Sequence, residues 1–367
     1  AMQVDIGLRE PPVDEIDPEL YSVFYRGQLA PDNQGPIYSG HDEENVRAAT
    51  AYIRNRDRDR PFRMLLNLSN PHPSYKIEEA FLRQVDPGKL PDRIPDPASD
   101  ANLHPAVYAL RSAYRGEEVT ETQWKVLKRA YYAMCAKVDH LFGTILESLR
   151  TAHVYEDTCI VFLSDHGDFA GDYGLPEKTH LTFQDSLLHV PMIIRLPSST
   201  PAIGENRRTH LAELVDLCPT VYELLGIDAG YDTQGCSLMA SLTEGREPAR
   251  DAVFAEAGAR RGEDQFASDL SAIQQGTFYH VQSSATGPFQ ERGGYGVSCR
   301  TVEFKYVRRG YGSFHELYDL KNDPEERINL SGKSDYARIE AALAARLLDH
   351  FMETGDVLPH ERDKRGI

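Results

Sequence analysis

The segment TCIVFLSDHG at residues 158–167 decides the predicted fold, because an apolar run ends there in an acid, an imidazole and a glycine. The run at residues 158–162 has the length and composition of a buried strand. Ligands of open α/β sheets gather at the carboxyl ends of strands, which is where Asp165 and His166 would lie. Carboxylate and imidazole groups both bind divalent metals. The segment therefore indicates a metal site, and the alternative is a plain turn with Gly167 at a positive φ angle.

The residues that follow this segment favour the metal site over the turn. A loop rich in glycine, residues 167–178, brings the cation Lys178 thirteen residues after Asp165. The chain then passes through the sequence HVP at residues 189–191 into a second apolar run at 192–194. A cation, an acid and an imidazole are thus expected at one end of the predicted sheet.

Helical and strand-like segments alternate along the first two thirds of the chain. Residues 121–150 repeat apolar side chains every three or four positions, and residues 42–56 begin with an acidic helix cap. The apolar runs at 63–68 and 158–162 predict strands, and this alternation is the pattern of an α/β protein. Prolines and aspartates between residues 81 and 118 predict a long irregular insertion.

The composition of the sequence changes after residue 243. Short segments separated by glycine-rich stretches predict strands at residues 253–256, 277–282, 296–301 and 304–308. These strands would form a small antiparallel sheet, which an amphipathic helix at residues 335–353 would close. We therefore predict two domains, residues 1–243 and 244–367, with the first 40 residues wrapping the surface as a loop.

The amino-acid composition limits the possible binding partners and the cellular compartment. The formal net charge of −17 argues against nucleic-acid binding, which needs a basic surface. No apolar stretch approaches the roughly 20 residues that span a bilayer, so no membrane partner is predicted. Five cysteines, an odd number scattered among apolar residues, favour buried free thiols over a disulfide framework and thereby a cytoplasmic setting.

Four groups of motifs, in order along the chain, resemble the sulfatase family of the alkaline-phosphatase superfamily. The sequence PFRMLLNLSNPHP at residues 61–73 is similar to a family strand that ends in a loop of the Pro-His-x-Pro type. The runs SDHG, GLPEK and HVPMI within residues 164–193 are similar to the family's site loop. The sequences LVDLCPT at 214–220 and ELYDLKNDPEE at 316–326 are similar to its helix after the core and its C-terminal strand and turn.

The resemblance implies an α/β/α sandwich around a mixed, mainly parallel sheet, with a small C-terminal antiparallel-sheet subdomain and a closing helix. It implies a hydrolase of sulfuric esters that uses a divalent metal, Ca²⁺ first, with Mn²⁺ or Mg²⁺ as alternatives. The substrate would be a small anionic sulfate or phosphate ester. By their places in the motifs, Asp165 and His166 would bind the metal, and His72 and Lys178 would be the catalytic residues that hold substrate oxygens. His180, two residues beyond Lys178, would line the same pocket.

The sequence departs from the family pattern in two respects. No two aspartates are adjacent, and no Cys or Ser begins the family's nucleophile motif, Cys/Ser-x-Pro/Ala-x-Arg. We therefore expect half of the metal site and no nucleophile in this chain. The strand that carries the aspartate pair is central in the family sheet, so we also expect an unpaired strand edge. A second copy of the chain, in a homo-oligomer, or a complementary chain would cover that edge.

Two other functions stay open from the sequence. A phosphodiesterase or phosphonate monoester hydrolase of the same superfamily would use the same Asp-His ligand pair. A truncated sulfatase-like protein without turnover would instead bind an anion or a protein partner, because a missing nucleophile removes many orders of magnitude in rate. The sequence LYDL at residues 317–320 favours the sulfatase branch.

Overall fold

The computed structural model describes residues 41–73, 75, 77–97, 102–204, 207–248, 250–258, 282, 284–287, 289, 294–310, 314–357 and 360. Its helices are α1 (His41–Asn55), α2 (Glu79–Leu82), α3 (Pro105–Ala113), α4 (Glu121–Thr151), α5 (Asp185–Leu188), α6 (Leu217–Leu225), α7 (Met239–Glu244) and α8 (Ala337–Thr354). Its strands are β1 (Ile160–Leu163), β2 (Met192–Arg195), β3 (Val253–Ala257), β4 (Gly296–Arg300), β5 (Phe304–Arg309) and β6 (Glu316–Asp319). The predicted N-terminal loop and most of the strand predicted at 277–282 lie outside the described residues. Within the described ranges, no helix combines the length and the apolar character needed to cross a membrane.

The long helix α4 forms the centre of the N-terminal part. Thr120 Oγ1 accepts a hydrogen bond from the backbone N–H of Gln123, and the Gln123 side chain accepts one from the backbone N–H of Thr120. This capping box satisfies two donors that the helix start would otherwise leave unpaired. The helix buries apolar side chains at intervals of three or four, as predicted: Trp124, Leu127, Ala130, Met134, Val138, Leu141, Ile145 and Leu149. Helix α1 packs against its C-terminal half.

Strands β1 and β2 form an antiparallel pair, with Ile160 opposite Arg195 and Leu163 opposite Met192. Ile160 packs against the apolar cluster between α1 and α4, so the pair lies on that helical layer. Every strand pair in the described part of the chain is antiparallel. The parallel pairing expected for the core sheet therefore does not occur within these residues.

Residues 63–68, predicted to be a strand, are extended but form no strand. Their side chains alternate between helices and solvent: Met64 and Leu66 pack with the α1 and α4 cluster, whereas Leu65 is 85% exposed. This alternation is typical of a strand, but within the described residues no other strand pairs with the segment to complete a hydrogen-bond ladder. The segment is therefore extended, as predicted, but the prediction of a hydrogen-bonded strand is wrong within the described residues.

The C-terminal part is an antiparallel sheet in the order β3-β4-β5-β6. Helix α8 packs against it, and Leu343 and Leu347 share a buried cluster with Cys299, Tyr306 and Leu317. The small C-terminal sheet and its closing helix are confirmed, and the combination of helices and sheets confirms the α/β class. The domain boundary at residue 243 stays a prediction.

A buried ion cluster joins the C-terminal sheet to α5. Lys305, on β5, is fully buried and lies 2.5 Å from carboxylate oxygens of both Asp185 and Glu326. Arg300, on β4, forms a second ion pair with Asp185 at 2.8 Å. Burial alone would raise the pKa of Asp185, but Lys305 and Arg300 outweigh it and lower that pKa to about 2. Because Asp185 follows the loop of Lys178, the cluster fixes the sheet against the candidate site.

The insertion between residues 81 and 118 is more regular than predicted, because it contains helix α3. Pro105 occupies the first position of this helix, and Nδ1 of His104 accepts a hydrogen bond from the Ala106 N–H at 3.2 Å. Its buried apolar face comprises three residues, too few to give a clear helical period among the surrounding prolines and aspartates.

The cysteines are less buried than predicted. All five are free thiols, and the sequence favoured free thiols over a disulfide framework. Cys299 is buried, but Cys218 and Cys236 are exposed. Cys218 lies in the first turn of α6, whose buried side is small, so its thiol faces solvent.

Candidate functional site

Asp165 and His166 follow the carboxyl end of β1. The Asp165 side chain is 85% exposed and the His166 side chain 42% exposed, with 3.8 Å between Asp165 Oδ2 and His166 Nε2. His166 Nδ1 lies 2.9 Å from the carbonyl oxygen of Gly167. Since that oxygen can only accept, Nδ1 carries the proton and Nε2 keeps a lone pair. The strand end thus presents one carboxylate and one imidazole nitrogen that can bind a cation.

Position 167 requires a glycine because the backbone packs closely there, and not because of an unusual φ angle. A Cβ atom at this position would lie 2.0 Å from the carbonyl oxygen of Ser186. The Gly167 N–H donates to the carbonyl oxygen of Leu187 at 2.7 Å, which ties the strand end to α5. The alternative of a turn with a positive φ at Gly167 is wrong. Positive φ angles occur further along the loop, at Ala170, Gly171, Tyr173 and Gly174.

His72 and Lys178, 106 positions apart in the chain, are in direct contact. Lys178 Nζ lies 2.9 Å from His72 Nε2, and His72 Nδ1 lies 2.6 Å from the carbonyl oxygen of Pro73. The carbonyl requires a proton on Nδ1, so Nε2 accepts a hydrogen bond from the Lys178 ammonium. Burial and, after it, the charge of Lys178 lower the pKa of His72, which favours this neutral form.

This contact changes the role that His72 can take. With Nε2 accepting from Lys178, His72 has no ring proton to offer to a substrate oxygen in this arrangement. Lys178 is the donor that can meet an anion, and His72 orients it. The sequence placed the two residues in one site, but it did not indicate that one would hold the other.

The sequence pattern did not identify Glu177, an acidic residue that contacts Lys178. Glu177 is 3% exposed, and its Oε1 accepts a hydrogen bond from Lys178 Nζ at 2.7 Å. Burial raises the pKa of Glu177, and the charge of Lys178 opposes that rise. The sequence GLPEK at 174–178 contains the pair, but neighbouring residues in a loop often point apart, so adjacency alone does not reveal the contact.

A second acid, Asp168, supports the backbone of the same loop. Its Oδ1 accepts a hydrogen bond from the Lys178 N–H at 2.7 Å, and its Oδ2 lies 3.0 Å from the Tyr75 hydroxyl. Gln282 Nε2 donates to the Lys178 carbonyl oxygen at 3.1 Å. Burial and the neighbouring Glu177 raise the pKa of Asp168 to about 6. Lys178 is therefore held at both its backbone and its side chain before any ligand binds.

The lysine loop and the strand end belong to one site. His166 interacts electrostatically with His72 and with Glu177. Asp168, two residues beyond His166, accepts a hydrogen bond from the Lys178 N–H at 2.7 Å, so the strand end and the lysine loop are adjacent. The structure thus brings together four of the residues named from the sequence, Asp165, His166, His72 and Lys178.

His180, the fifth residue named from the sequence, is partly buried on the lysine loop. Burial lowers its pKa to about 4, so the ring is neutral at neutral pH. A neutral imidazole contributes shape and hydrogen bonding to a pocket but no charge. Its place in a substrate pocket stays a prediction.

The donor set fits one half of a metal site. Among the described residues, no group of three or more His, Cys, Asp or Glu side chains is arranged to hold a metal ion. Asp165 and His166 supply two donors, whereas a cation such as Ca²⁺ takes about six to eight oxygen ligands. Further ligands would have to come from substrate, from water or from polypeptide outside the described residues.

Comparison with known proteins relates the chain to curated enzymes. The Sulfatase family model matches residues 15–227, more than half of the chain. Arylsulfatase K of Bos taurus is 25% identical over 313 residues, which cover 80% of this chain and 52% of that protein. Choline-sulfatase of Rhizobium meliloti is 27% identical over 317 residues, which cover 83% and 54%. The chain thus spans about half the length of the curated relatives it matches.

Solved structures show the same fold. The crystal structure of a phosphonate monoester hydrolase of Agrobacterium radiobacter has a TM-score of 0.67 and 25% identity, covering 87% of this chain and 62% of that chain. A phosphonate monoester hydrolase from Silicibacter pomeroyi has a TM-score of 0.69 and 21% identity, covering 91% and 65%.

Proposed function

This chain belongs to the sulfatase family, and on that premise we propose that it supplies the anion-holding part of a sulfuric ester hydrolase. The observation that carries the proposal is the Lys178 ammonium, held by His72 and Glu177 in the site at the end of β1. The non-bridging oxygens of a sulfate ester accept charge-assisted hydrogen bonds from such a group.

Lys178 suits this role because its position is restricted before an ester binds. Two of the three ammonium hydrogens are directed at His72 and Glu177, so the Nζ group has little rotational freedom. The contacts of Asp168 and Gln282 fix the backbone of Lys178. A donor held in place stabilises the negative charge that develops on an ester oxygen without first reorganising.

Asp165 and His166 are the residues that would hold a divalent metal. When bound, the metal would polarise the ester and assist a nucleophile. The Gly167 carbonyl accepts from Nδ1 of His166, which leaves the Nε2 lone pair for the metal and fixes the ring. Ca²⁺ is the first candidate because it suits a site completed by oxygen ligands, with Mn²⁺ and Mg²⁺ as alternatives.

Hydrolysis of a phosphonate monoester or a phosphate diester is the second candidate. The similarity to the phosphonate monoester hydrolase of Agrobacterium radiobacter supports it. Such esters carry one negative charge, as a sulfate ester does, and the Lys178 ammonium would hold them in the same way. Relative affinities for methyl sulfate and dimethyl phosphate would rank the two candidates.

Methyl sulfate is expected to bind at Lys178 and to shift the ring resonances of His72 in NMR spectra. Lys178→Met should abolish this binding and raise the pKa of His72 towards its ordinary value, because a neighbouring positive charge is removed. The matched control is Lys321→Met, which removes an exposed lysine from a turn and should change neither property. Undiminished binding to a folded Lys178→Met variant would contradict the proposed function.

We also propose that a further polypeptide strand, from a second copy or a complementary chain, covers residues 63–68. The exposed Leu65 and the segment's lack of a pairing strand among the described residues support this proposal, because uncovered edges aggregate. Backbone amides of residues 64–67 should exchange rapidly in the isolated chain and slowly when the partner is bound. Slow exchange in a monomeric sample, measured by mass spectrometry, would refute the proposal.

A further inference from the structure

The charges around Lys178 do not suit a strongly anionic ligand. The carboxylate of Glu177 offsets the Lys178 charge at a distance of 2.7 Å, and it is almost completely buried. Asp168 adds a second acid on the same loop, bound to the Lys178 backbone. His72 accepts from Lys178 and is neutral in this arrangement. With both acids ionised, the group formed by Glu177, Lys178, Asp168 and His72 has no net positive charge.

The charge of a ligand decides how strongly Glu177 affects its binding. A ligand oxygen bound to Lys178 Nζ would lie within about 5.5 Å of Glu177 Oε1, which is 2.7 Å from the same nitrogen. At that distance one unit charge alters affinity by roughly tenfold or more. A doubly charged ligand is attracted twice as strongly by Lys178, but it is also repelled twice as strongly by Glu177. Because the attraction and the repulsion oppose each other, the second charge of the ligand adds little to the binding energy. Removing a doubly charged ligand from water also costs more than removing a singly charged one.

The contact between Glu177 and Lys178 also has a purely structural explanation, in which Glu177 only holds the lysine in place. Glutamine separates the two explanations, because its side-chain oxygen accepts the same hydrogen bond from Lys178 Nζ but carries no charge. A structural role would survive Glu177→Gln, whereas an electrostatic role would be lost.

We propose that Glu177 is a specificity-determining residue that selects singly charged esters over doubly charged phosphate monoesters at Lys178. This inference rests on the proposed function and names the substrate class of the same site. Sulfate monoesters, phosphonate monoesters and phosphate diesters each carry one charge at neutral pH. Phosphate monoesters are mostly doubly charged there, because their second pKa is about 6.

The experiment measures affinities for methyl sulfate, dimethyl phosphate and methyl phosphate by NMR titration of the His72 ring, above the second pKa of methyl phosphate. The wild-type chain should bind the two singly charged ligands at least as tightly as methyl phosphate. Glu177→Gln should strengthen methyl sulfate binding about tenfold and methyl phosphate binding about a hundredfold, which shifts the preference about tenfold towards the double charge.

The matched control is Glu326→Gln, since Glu326 is equally buried and also pairs with a lysine, Lys305. It should leave the ligand preference unchanged. Tighter binding of methyl phosphate by the wild type, or an unchanged preference in Glu177→Gln, would overturn the inference while leaving the proposed function in place. The wild-type comparison holds even if the variant does not fold. Absence of binding of all three ligands would overturn both.

Discussion

The isolated chain is expected to hydrolyse p-nitrophenyl sulfate and bis-p-nitrophenyl phosphate no faster than its Lys178→Ala variant. The sequence contains neither the family's nucleophile motif nor a pair of adjacent aspartates. Without a nucleophile no bond to sulfur or phosphorus forms, so the charge that Lys178 would stabilise never develops. The expected loss is many orders of magnitude relative to a complete enzyme.

Added Ca²⁺, Mn²⁺ or Zn²⁺ should not restore this turnover, because two donors, Asp165 and His166, do not hold a cation in place. The assay needs protein of verified intact mass, with a complete relative as positive control. Robust hydrolysis that disappears in Lys178→Ala would show that the chain carries a nucleophile of another kind. The expected incompleteness of the site would then be wrong.

Arg309→Met is expected to destabilise the fold by about 3 to 5 kcal/mol, because it leaves a buried carboxylate without its cation. The side chains of Arg309 and Glu316 are both fully buried and lie 2.5 Å apart. Arg309 also donates to the carbonyl oxygen of Leu181 at 2.7 Å, which connects β5 to the loop beyond Lys178. Urea unfolding measures the loss.

The double variant Arg309→Met with Glu316→Gln should recover part of this stability, because no uncompensated charge stays buried. Arg246→Met is the control for an exposed pair, since the Arg246 side chain is 68% exposed, and it should leave the urea unfolding transition unchanged. If Arg309→Met likewise left the urea transition unchanged, the ion pair with Glu316 would not contribute to the stability of the C-terminal sheet.

Local sequence patterns predicted the elements that are stabilised by contacts between residues close in sequence, or whose apolar side chains recur at a regular period. The apolar repeat of α4 lies within one helix, so the helix could be recognised directly. The position of Asp165 and His166 after β1 follows from one apolar run and the polar residues behind it. Strands β3, β4 and β5 follow from short segments between turns, whereas β6 was indicated only by the resemblance of residues 316–326 to the family's C-terminal strand and turn.

Long-range contacts account for what the sequence did not reveal. The segment 63–68 has the alternation of a strand, but hydrogen-bond pairing depends on a neighbour that a local pattern cannot identify. The contact between His72 and Lys178 joins residues 106 positions apart, and it gives His72 a role that its loop alone does not indicate. Glu177 acquires its importance from burial beside Lys178, which is a property of the folded loop.

The central claim is that Lys178 holds the anion of the substrate, and a crystal structure with bound methyl sulfate tests it most directly. We expect one sulfate oxygen within about 3 Å of Lys178 Nζ, at the end of β1 and beside Asp165 and His166. Binding of the anion in the groove lined by Arg54, Arg56 and Arg58, with Lys178 still bound only to His72 and Glu177, would contradict the claim.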